Sequence, residues 1–341
     1  MKKTLFLNTM MMLILVLVGC VGDRNGGGNT PANAKKRYKI VTVVKADGLA
    51  WFDRMEEGIN RFAAEMGHEA VMIGPARPDG SLQAKMIEDL IEQGEVDAIV
   101  VVPFSVNVLE PILKKAREQG IVVIAHEASN QVNADYIIEP FDNAAYGRHL
   151  MDHLAENMGY TGEYVVFVGS LDSKSHNEWV DAAIAHQQEQ YPNMKLITGK
   201  IEDFDDQATA YVKTVELLKK YPHLAGIQTS AMPSAAGAGL AVEEAGLVSQ
   251  ISVVGTSLVS VSGDYLESNA VRLISFWDPA DAGYVMNELA VDVLEGTEIK
   301  EGLDLGVKGY RHIRIDENKP NLLFGEAWVD VTKENMFDYP F

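Results

Sequence analysis

The feature that most limits the fold is an alternation of short apolar runs with amphipathic segments, which begins near residue 38. Runs rich in β-branched residues, typical of buried strands, occur at 39–44, 69–73, 97–102 and 121–125. Segments with helical periodicity lie between them, near 51–66, 81–94 and 107–119. Strands and helices joined by short links in this order predict a parallel, doubly wound α/β sheet.

A second series of the same kind follows the first. It predicts strands at 163–168, 195–199, 225–228, 251–255 and 271–276. It predicts helices at 142–158, 174–190, 206–220, 233–246, 259–268 and 280–295, after which come short β pieces. Because these elements are too many for one sheet of ordinary size, we expect two similar doubly wound lobes.

The two series are not separated by a low-complexity linker, so we expect the chain to pass between the lobes on short hinge crossovers. The predicted first lobe comprises residues 38–139 and 278–310, and the predicted second lobe comprises residues 140–277 and 311–341. Hinges of this kind suit closure of two lobes around a ligand.

The first residues have the pattern of an export signal and are set apart from the fold. Two lysines precede an apolar run that ends in Gly19-Cys20, which predicts a signal peptide over 1–19. The ending Leu-Val-Gly-Cys resembles a bacterial lipobox, in which the cysteine is lipidated. A cleaved signal with an incidental cysteine is the alternative. Residues 20–37 have the Gly- and Asn-rich composition of a flexible tether.

Charge and cysteine content narrow the classes of partner. The formal net charge is −20 at pH 7, which argues against a nucleic-acid partner and against a basic membrane-binding surface. Cys20 is the only cysteine, so no internal disulfide is expected and stability must come from the core. Contact with a membrane is therefore expected only through a lipid on Cys20.

Polar and aromatic residues follow several predicted strands, which is where ligands bind in open α/β sheets. Lys45, Trp51 and Phe52 follow the first strand, and His126-Glu127 follows the fourth. The corresponding junctions of the second series supply Ser175, His176, Asn177, Pro233, Ala235, Trp277 and Asp278. Aromatic faces pack on the C–H face of a sugar ring, and charged or amide groups pair with its hydroxyls. These residues predict a site for a polyhydroxylated ligand.

Within that site we predict that Trp51 and Trp277 stack on the sugar. Glu127, Asp278 and Asn177 are predicted to form hydrogen bonds with its hydroxyls. Each residue also has a purely structural interpretation. The aromatic residues suit the core face of a helix, and the polar ones suit helix caps or loop positions.

The sequence offers little for catalysis. It contains no G-x-S-x-G elbow, no H-E-x-x-H, no paired Cys/His metal spacing and no phosphate-binding G-x-x-x-x-G-K-[ST]. We therefore expect no catalytic residue, no cofactor and no metal. The alternative from another class is an exported sugar-modifying enzyme in which His126 and Glu127 form a proton-transfer pair.

At these residues the chain resembles the type I periplasmic sugar-binding proteins, the solute receptors of ABC importers. The resemblance extends from Tyr38 to Phe341. It is carried by WFDRMEEG at 51–58, by parts of 169–179, by FWDPADAGY at 276–284 and by VDVTKEN at 329–335. Within these proteins the chain is most similar to the branch that holds the autoinducer-2 receptor and rhamnose-binding proteins.

The resemblance implies an exported monomer that captures a ligand between two lobes and delivers it to a membrane permease with its ATPase. It implies no chemistry on the ligand. Lys45 matches a lysine of the autoinducer branch, and Glu127 stands where that branch usually has aspartate. Pro233 and Ala235 match its Pro-x-Ala backbone site, and Trp277 matches its tryptophan.

The ligand itself is less constrained. Ser175 and His176 stand where the autoinducer branch has an Asp-Gln pair. This departure favours a rhamnose-like sugar or another simple monosaccharide, with autoinducer-2 as the alternative within the branch. Ligand capture for a chemoreceptor shares the binding step and stays open. A sugar-responsive repressor is excluded, because the glycine-rich residues 21–37 stand where a repressor has a basic helix-turn-helix.

Overall fold

Two largely parallel sheets, each covered by helices, form the described part of the protein. The computed structural model describes residues 36–341, so Cys20, the predicted signal peptide and nearly all of the predicted tether lie outside the described residues. Arg37–Phe341 form one unit. Among residues 36–341, no helix combines the length and the apolar composition needed to cross a bilayer.

The elements alternate along the chain as the sequence predicts. In the first series they are β1 (Lys39–Val43), α1 (Ala50–Met66), β2 (Glu69–Ile73), α2 (Gly80–Gln93), β3 (Ala98–Val101), α3 (Val106–Glu118), β4 (Val122–Ala125) and β5 (Tyr136–Glu139). In the second they are α4 (Asn143–Asn157), β6 (Gly162–Val168), α5 (Lys174–Gln190), β7 (Met194–Leu196), β8 (Ile201–Glu202), α6 (Gln207–Lys220), β9 (Leu224–Thr229), α7 (Met232–Glu244), β10 (Ser252–Thr256), α8 (Val259–Glu267) and β11 (Leu273–Phe276). The last elements are α9 (Pro279–Glu295), β12 (Arg314–Ile315), β13 (Leu322–Phe324), β14 (Val329–Val331) and a short 3₁₀ helix at Met336–Asp338.

The strand orders confirm the predicted pair of doubly wound lobes. The first sheet has the order β12-β13-β5-β4-β3-β1-β2, and the second has the order β14-β11-β10-β9-β6-β7, with β8 beside β6. The pairs are parallel except β12 with β13 and β14 with β11. All residues of β3 and β10 are buried, as expected for parallel strands between layers of helices. We call each sheet with its helices a lobe.

Within residues 36–341 the chain crosses between the sheets three times. It leaves the first sheet after β5 and enters α4, and it returns after β11 through α9, which packs against β3 and β4. It crosses again between β13 and β14. The first two crossings lie where the sequence predicts hinges, and the third lies further along the chain than predicted.

Two details differ from the sequence prediction. Strand β5 is missed, because only the middle two of its four residues, YIIE, are β-branched and Pro140 follows at once. The sequence also places residues 311–341 in the second lobe. That placement is wrong for β12 and β13, which join the first sheet beside β5, and it holds for β14. Short β pieces carry no local signal of which sheet edge they join.

Close contacts with the backbone of a neighbouring helix hold α1 against α9 and α4 against α5. A Cβ atom on Gly58 of α1 would lie 1.7 Å from the carbonyl oxygen of Ala280 in α9. A Cβ atom on Gly147 of α4 would lie 2.1 Å from the carbonyl oxygen of Trp179 in α5. Glycine is therefore needed at both contacts, since close-packed interiors cannot absorb such overlaps.

We expect the substitution Gly58→Ala to lower the free energy of unfolding by about 1–3 kcal/mol, because the added methyl group forces α1 and α9 apart. Gly199→Ala is the matched control, since an added Cβ there meets nothing within 4 Å. The control is expected to change stability by about 0.5 kcal/mol or less. Urea denaturation of both variants measures the difference. Equal stability of the two variants would contradict the contact between α1 and α9.

Candidate binding cavity between the lobes

A cavity lies beyond the carboxyl ends of strands from both sheets. Its residues end or follow strands of both lobes, or lie at the starts of α1, α5 and α7. They are Lys45, Leu49, Trp51, Phe52, Glu127, His176, Trp179, Asp205, Ser230, Met232, Pro233, Thr256 and Trp277. Open α/β folds bind their ligands at this position.

The cavity is narrow. It holds about 410 Å³ of space outside the protein atoms, solvent at its mouth included, and the centre of a water molecule can occupy about 40 Å³ of it. Side chains of the two lobes meet beside it. Ser175 Oγ lies 3.5 Å from Glu127 Oε2. A second contact between the lobes lies outside the cavity lining, where Ser129 Oγ donates to the Glu178 carboxylate at 2.8 Å. The space suits one small, compact ligand.

Three tryptophans form the apolar walls of the cavity. The rings of Trp51 and Trp277 lie 4.6 Å apart at an interplanar angle of 75°. The ring of Trp179 lies 5.8 Å from that of Trp277 at 77°. All three side chains are at most 5% exposed. These side chains therefore belong to the core and also line the cavity, and their stacking on a sugar stays a prediction.

A buried ion pair lies on the first-lobe wall. Lys45 Nζ donates to Glu127 Oε2 at 2.7 Å, and the side chains are 7% and 4% exposed. Burial by itself lowers the pKa of Lys45, but the carboxylates of Glu127 and Asp205 outweigh burial and raise that pKa. Burial raises the pKa of Glu127, but the charge and hydrogen bond of Lys45 oppose burial and bring that pKa below its ordinary value. Both groups are therefore charged at neutral pH.

The carboxylates of the cavity lie on backbone with unusual dihedral angles. Glu127 has φ 54°, and the consecutive residues Phe204 and Asp205 have φ 59° and 55°. Non-glycine residues rarely adopt positive φ, and such strain clusters at ligand-binding and catalytic sites. Burial raises the pKa of Asp205, and Lys45 opposes that rise. The backbone thus holds two acidic side chains at this cavity.

His176 presents a hydrogen-bond donor on the second-lobe side. Its Nδ1 accepts a hydrogen bond from the backbone N–H of Gly169 at 3.2 Å. Burial, together with the charge of Lys45, lowers the pKa of His176 to about 3. The ring is therefore neutral at pH 7, and its proton lies on Nε2 because Nδ1 is the acceptor.

Several polar atoms of the cavity residues have no hydrogen-bond partner within the described protein. They are Nε1 of Trp51, Nε1 of Trp277 and Oγ of Ser230. Buried polar groups are almost always paired, and an unpaired one costs about 1–3 kcal/mol. A polar ligand in the cavity would satisfy these groups.

The structure brings most of the predicted site residues together. Those that line the cavity are Lys45, Trp51, Phe52, Glu127, His176, Pro233 and Trp277. Ser175 is fully buried beside the Glu127 carboxylate rather than on the cavity surface. Ala235 is buried in α7 and does not line the cavity, although Pro233 of the same motif does. Contact of these residues with a ligand stays a prediction.

Asp278 is a correction to the predicted site. Its carboxylate accepts hydrogen bonds from Nε and Nη2 of Arg54, at 2.9 and 2.7 Å, and from the backbone N–H of Ala280 at 2.9 Å. It therefore caps α9 and ties α1 to the second crossing, and it is absent from the cavity lining. The helix-start interpretation of Asp278 is the one that the structure supports.

Asn177 is a second correction. Its Nδ2 donates to the backbone carbonyl oxygens of Ser170 and Ser173, and its Oδ1 accepts from Lys200 Nζ. These contacts hold the loop before α5 in place. The hydrogen bonds of the amide are therefore made within the protein, and the side chain does not line the cavity.

His126 lies behind the cavity rather than in it. Its ring is fully buried, and Nδ1 donates to the carbonyl oxygen of Ile138 at 2.6 Å. Burial lowers its pKa. The neighbouring Glu127 is paired with Lys45. Of the two residues in the proposed proton-transfer pair, His126 therefore lies in the core, and Glu127 forms an ion pair with Lys45.

Several residues of the cavity lining are not among the predicted site residues. They are Leu49, Trp179, Asp205, Ser230, Met232 and Thr256. Ser230 and Met232 follow β9, and Thr256 ends β10. The position of these residues at strand ends is predictable, but the direction in which each side chain points is not. Asp205 follows the two-residue strand β8, which has no sequence signal of its own.

The depressed pKa of His176 predicts a pH dependence of stability. The unfolded chain binds a proton at this residue below its ordinary pKa of 6.5, whereas the folded protein binds it only near pH 3. Stability from this residue is therefore lost as the pH falls from about 6.5 towards 3. The stability advantage of the wild type over His176→Gln should shrink by about 2 kcal/mol between pH 7 and pH 5. Urea denaturation at both pH values measures this, and a constant difference would contradict a buried neutral imidazole.

Comparison of the chain with known proteins identifies its family. The family described as "Periplasmic binding protein domain" matches residues 40–298. The chain belongs to the periplasmic binding protein family. This match confirms the family that the sequence resembles, and the structures below share its two-lobe fold.

The relatives share the fold over most of its length. The xylitol-binding protein of Mycolicibacterium smegmatis is 26% identical over 328 residues, which is 91% of this chain and 89% of that protein. An ABC transporter solute-binding protein from Clostridium phytofermentans with bound L-rhamnose has a TM-score of 0.81 and 19% identity, covering 89% of this chain and 98% of that one. The LsrB protein of Clostridium saccharobutylicum in complex with AI-2 has a TM-score of 0.81 and 16% identity, covering 89% and 100%.

Proposed function

We propose that this protein is the substrate-binding component of an ABC importer and that it captures one small sugar or polyol in the cavity between its lobes. The observation that carries the proposal is the composition of the cavity. Three tryptophan walls, a charged Lys45–Glu127 pair and unpaired polar atoms converge on one narrow space. Such a set matches a ligand with an apolar C–H face and several hydroxyls.

The ligand is proposed to be a single small molecule. The space open to water centres is about 40 Å³, which leaves no room for an oligosaccharide in this arrangement of the lobes. Proteins similar to this one are named for xylitol, ribose and L-rhamnose. We propose a rhamnose-like sugar or another monosaccharide or polyol of that size.

Autoinducer-2 stays the alternative ligand. The Asp-Gln pair of that branch is replaced by Ser175-His176, but Asp205 supplies a carboxylate to the same cavity. A second-lobe carboxylate is therefore present, although it comes from another part of the chain. The protein in complex with AI-2 shares the fold at 16% identity, which leaves the ligand of this chain open to experiment.

The proposed cellular setting follows from the family. Periplasmic binding proteins are exported, and we propose that a lipid on Cys20 holds this one at the cell envelope as a monomer. The permease and ATPase of the importer are the proposed partners. On the strand pairing, we propose lobes of residues 38–139 with 278–324 and of residues 140–277 with 325–341.

A thermal-shift screen of the purified protein tests the proposal. The panel contains L-rhamnose, ribose, xylitol, other pentoses and hexoses, and AI-2. A ligand at a hundredfold excess over its dissociation constant adds about 2.7 kcal/mol to the free energy of unfolding, so a true ligand should raise the melting temperature in a saturable way. Failure of every monosaccharide, polyol and AI-2 to do so would refute the proposal.

The enzyme alternative has little support, because His126 is buried away from the cavity lining. It is tested with the same hit. The ligand is incubated with the protein, released by denaturation and analysed by mass spectrometry and chromatography. Recovery of unchanged ligand is expected. A product that forms with wild type and not with His126→Gln would favour the enzyme.

A further inference from the structure

Two histidines and an aspartate form a cluster on the second lobe, outside the cavity lining. His149 and His153 lie four residues apart on α4, so their side chains share one face of the helix. Asp330 lies in β14, 181 residues after His149 in the chain. Among the described residues, one ring nitrogen of each histidine and a carboxylate oxygen of Asp330 all lie within 4.8 Å of one another.

We infer that His149, His153 and Asp330 bind one divalent transition-metal ion, with Zn²⁺ as the type. Two imidazoles, one carboxylate and a water molecule make up the donor set of an open, four-coordinate zinc site. Imidazole nitrogen favours Zn²⁺, Ni²⁺ and Cu²⁺ over Mg²⁺ and Ca²⁺, which prefer oxygen ligands. The cluster also carries one negative charge when both rings are neutral, which complements a dication.

The distances fit a single ion. His149 Nε2 lies 2.8 and 2.9 Å from the two carboxylate oxygens of Asp330, and His153 Nε2 lies 3.7 Å from Oδ2. Ligand atoms around a tetrahedral ion with bonds of about 2.0–2.2 Å are about 3.4 Å apart. The observed separations bracket that value, so modest side-chain rotations bring all three groups into coordination.

The surroundings hold the cluster in place and leave it accessible. The ring of Trp328 stacks on His149 with centroids 5.3 Å apart and an interplanar angle of 23°. Asn335 Nδ2 donates to the backbone carbonyl oxygen of Asp330 at 2.9 Å. The three side chains of the cluster are 24–33% exposed. An ion can therefore reach the site from water, and the stack and the backbone hydrogen bond limit the movement of His149 and of the Asp330 backbone.

The ion would join two segments that enter the second lobe separately. Helix α4 follows the first crossing and β14 follows the third. A metal bond between them ties the helix to the edge strand, so binding of the ion should stabilise this lobe whether or not a sugar is bound.

Zinc titration of the full chain without an added histidine tag tests the inference. The chelator-treated protein is titrated with Zn²⁺ against a chromophoric chelator, and Co²⁺ is titrated separately for its visible absorption. We expect one ion per chain, an intense Co²⁺ spectrum of the four-coordinate type and a higher melting temperature with Zn²⁺. Mg²⁺ and Ca²⁺ at the same concentrations should give no such shift.

Variants separate this site from general histidine binding. His153→Gln removes a partly exposed ligand and should weaken Zn²⁺ binding at least tenfold, as should His149→Gln. His186→Gln is the matched control, because His186 pairs with Asp152 at 2.6 Å and no third metal-ligating side chain joins them among residues 36–341. The control should bind Zn²⁺ as the wild type does. Absence of Zn²⁺ binding, equal affinity of His153→Gln and wild type, or equal losses in His153→Gln and the control would overturn the inference.

Discussion

The substitution Glu127→Ala is expected to lower the free energy of unfolding by about 3–5 kcal/mol and to weaken ligand binding at least tenfold. It leaves Lys45 charged and without its 2.7 Å partner in a site where its side chain is 7% exposed. Removing one member of a buried ion pair costs that much because the remaining charge is uncompensated. It also removes the proposed acceptor for ligand hydroxyls, and a charged hydrogen bond contributes about 1.5–3 kcal/mol. Urea denaturation and calorimetric titration measure the two effects.

A double variant separates stability from binding. Replacing both partners, as in Lys45→Met with Glu127→Leu, puts apolar side chains of similar volume in the site, an exchange that is often neutral or stabilising. We expect this variant to fold with nearly wild-type stability and still to fail in binding. Wild-type affinity in the stable double variant would remove the pair from the ligand site.

The second large effect is expected at Trp277. This side chain is 1% exposed and packs against the rings of Trp51, Trp179 and Phe141. Trp277→Ala should lower the free energy of unfolding by about 3–5 kcal/mol, as large-to-small changes in cores do. It should also abolish measurable binding, because one wall of the cavity is removed. Denaturation and calorimetry again report the two losses.

Two further variants define the role of Trp277. Trp277→Phe keeps an aromatic wall but removes the unpaired Nε1–H donor, so affinity should fall by about tenfold with a small change in stability. Trp328→Phe is the control, since Trp328 packs against Phe141 outside the cavity lining, and its affinity should match wild type. An equal loss of affinity in the control would mean that the effect is one of general packing.

The fold was largely predictable from local patterns. Apolar runs such as Val122–Ala125 have the β-branched composition of buried strands, and the length and spacing of apolar residues in Lys174–Gln190 indicate a helix. The assignments that failed depend on contacts between residues that are far apart in the sequence. Strands β12 and β13 belong to the first sheet because β13 pairs with β5, a strand of four residues. Nearly the whole second lobe lies between β5 and β13 in the sequence. No window of sequence contains both partners.

The sequence predicted where the site lies, but not the direction in which each side chain points. The strand-end rule placed Lys45, Glu127 and Trp277 at one cavity, where the structure finds them. It could not show that Asp278 turns to Arg54, because that partner lies 224 residues earlier in the chain. It also gave no sign of the cluster of His149, His153 and Asp330, because Asp330 lies 181 residues after His149 in the chain.

The most direct test of the central claim is a fluorescence titration of the variant Trp328→Phe with the ligand that the thermal-shift screen identifies. The chain has four tryptophans, and the three that remain in this variant all line the cavity. A sugar or polyol bound there must change their surroundings, so the account predicts a saturable change in emission with the same dissociation constant that calorimetry gives. A ligand that binds by calorimetry without altering this emission would contradict binding in the cavity between the lobes.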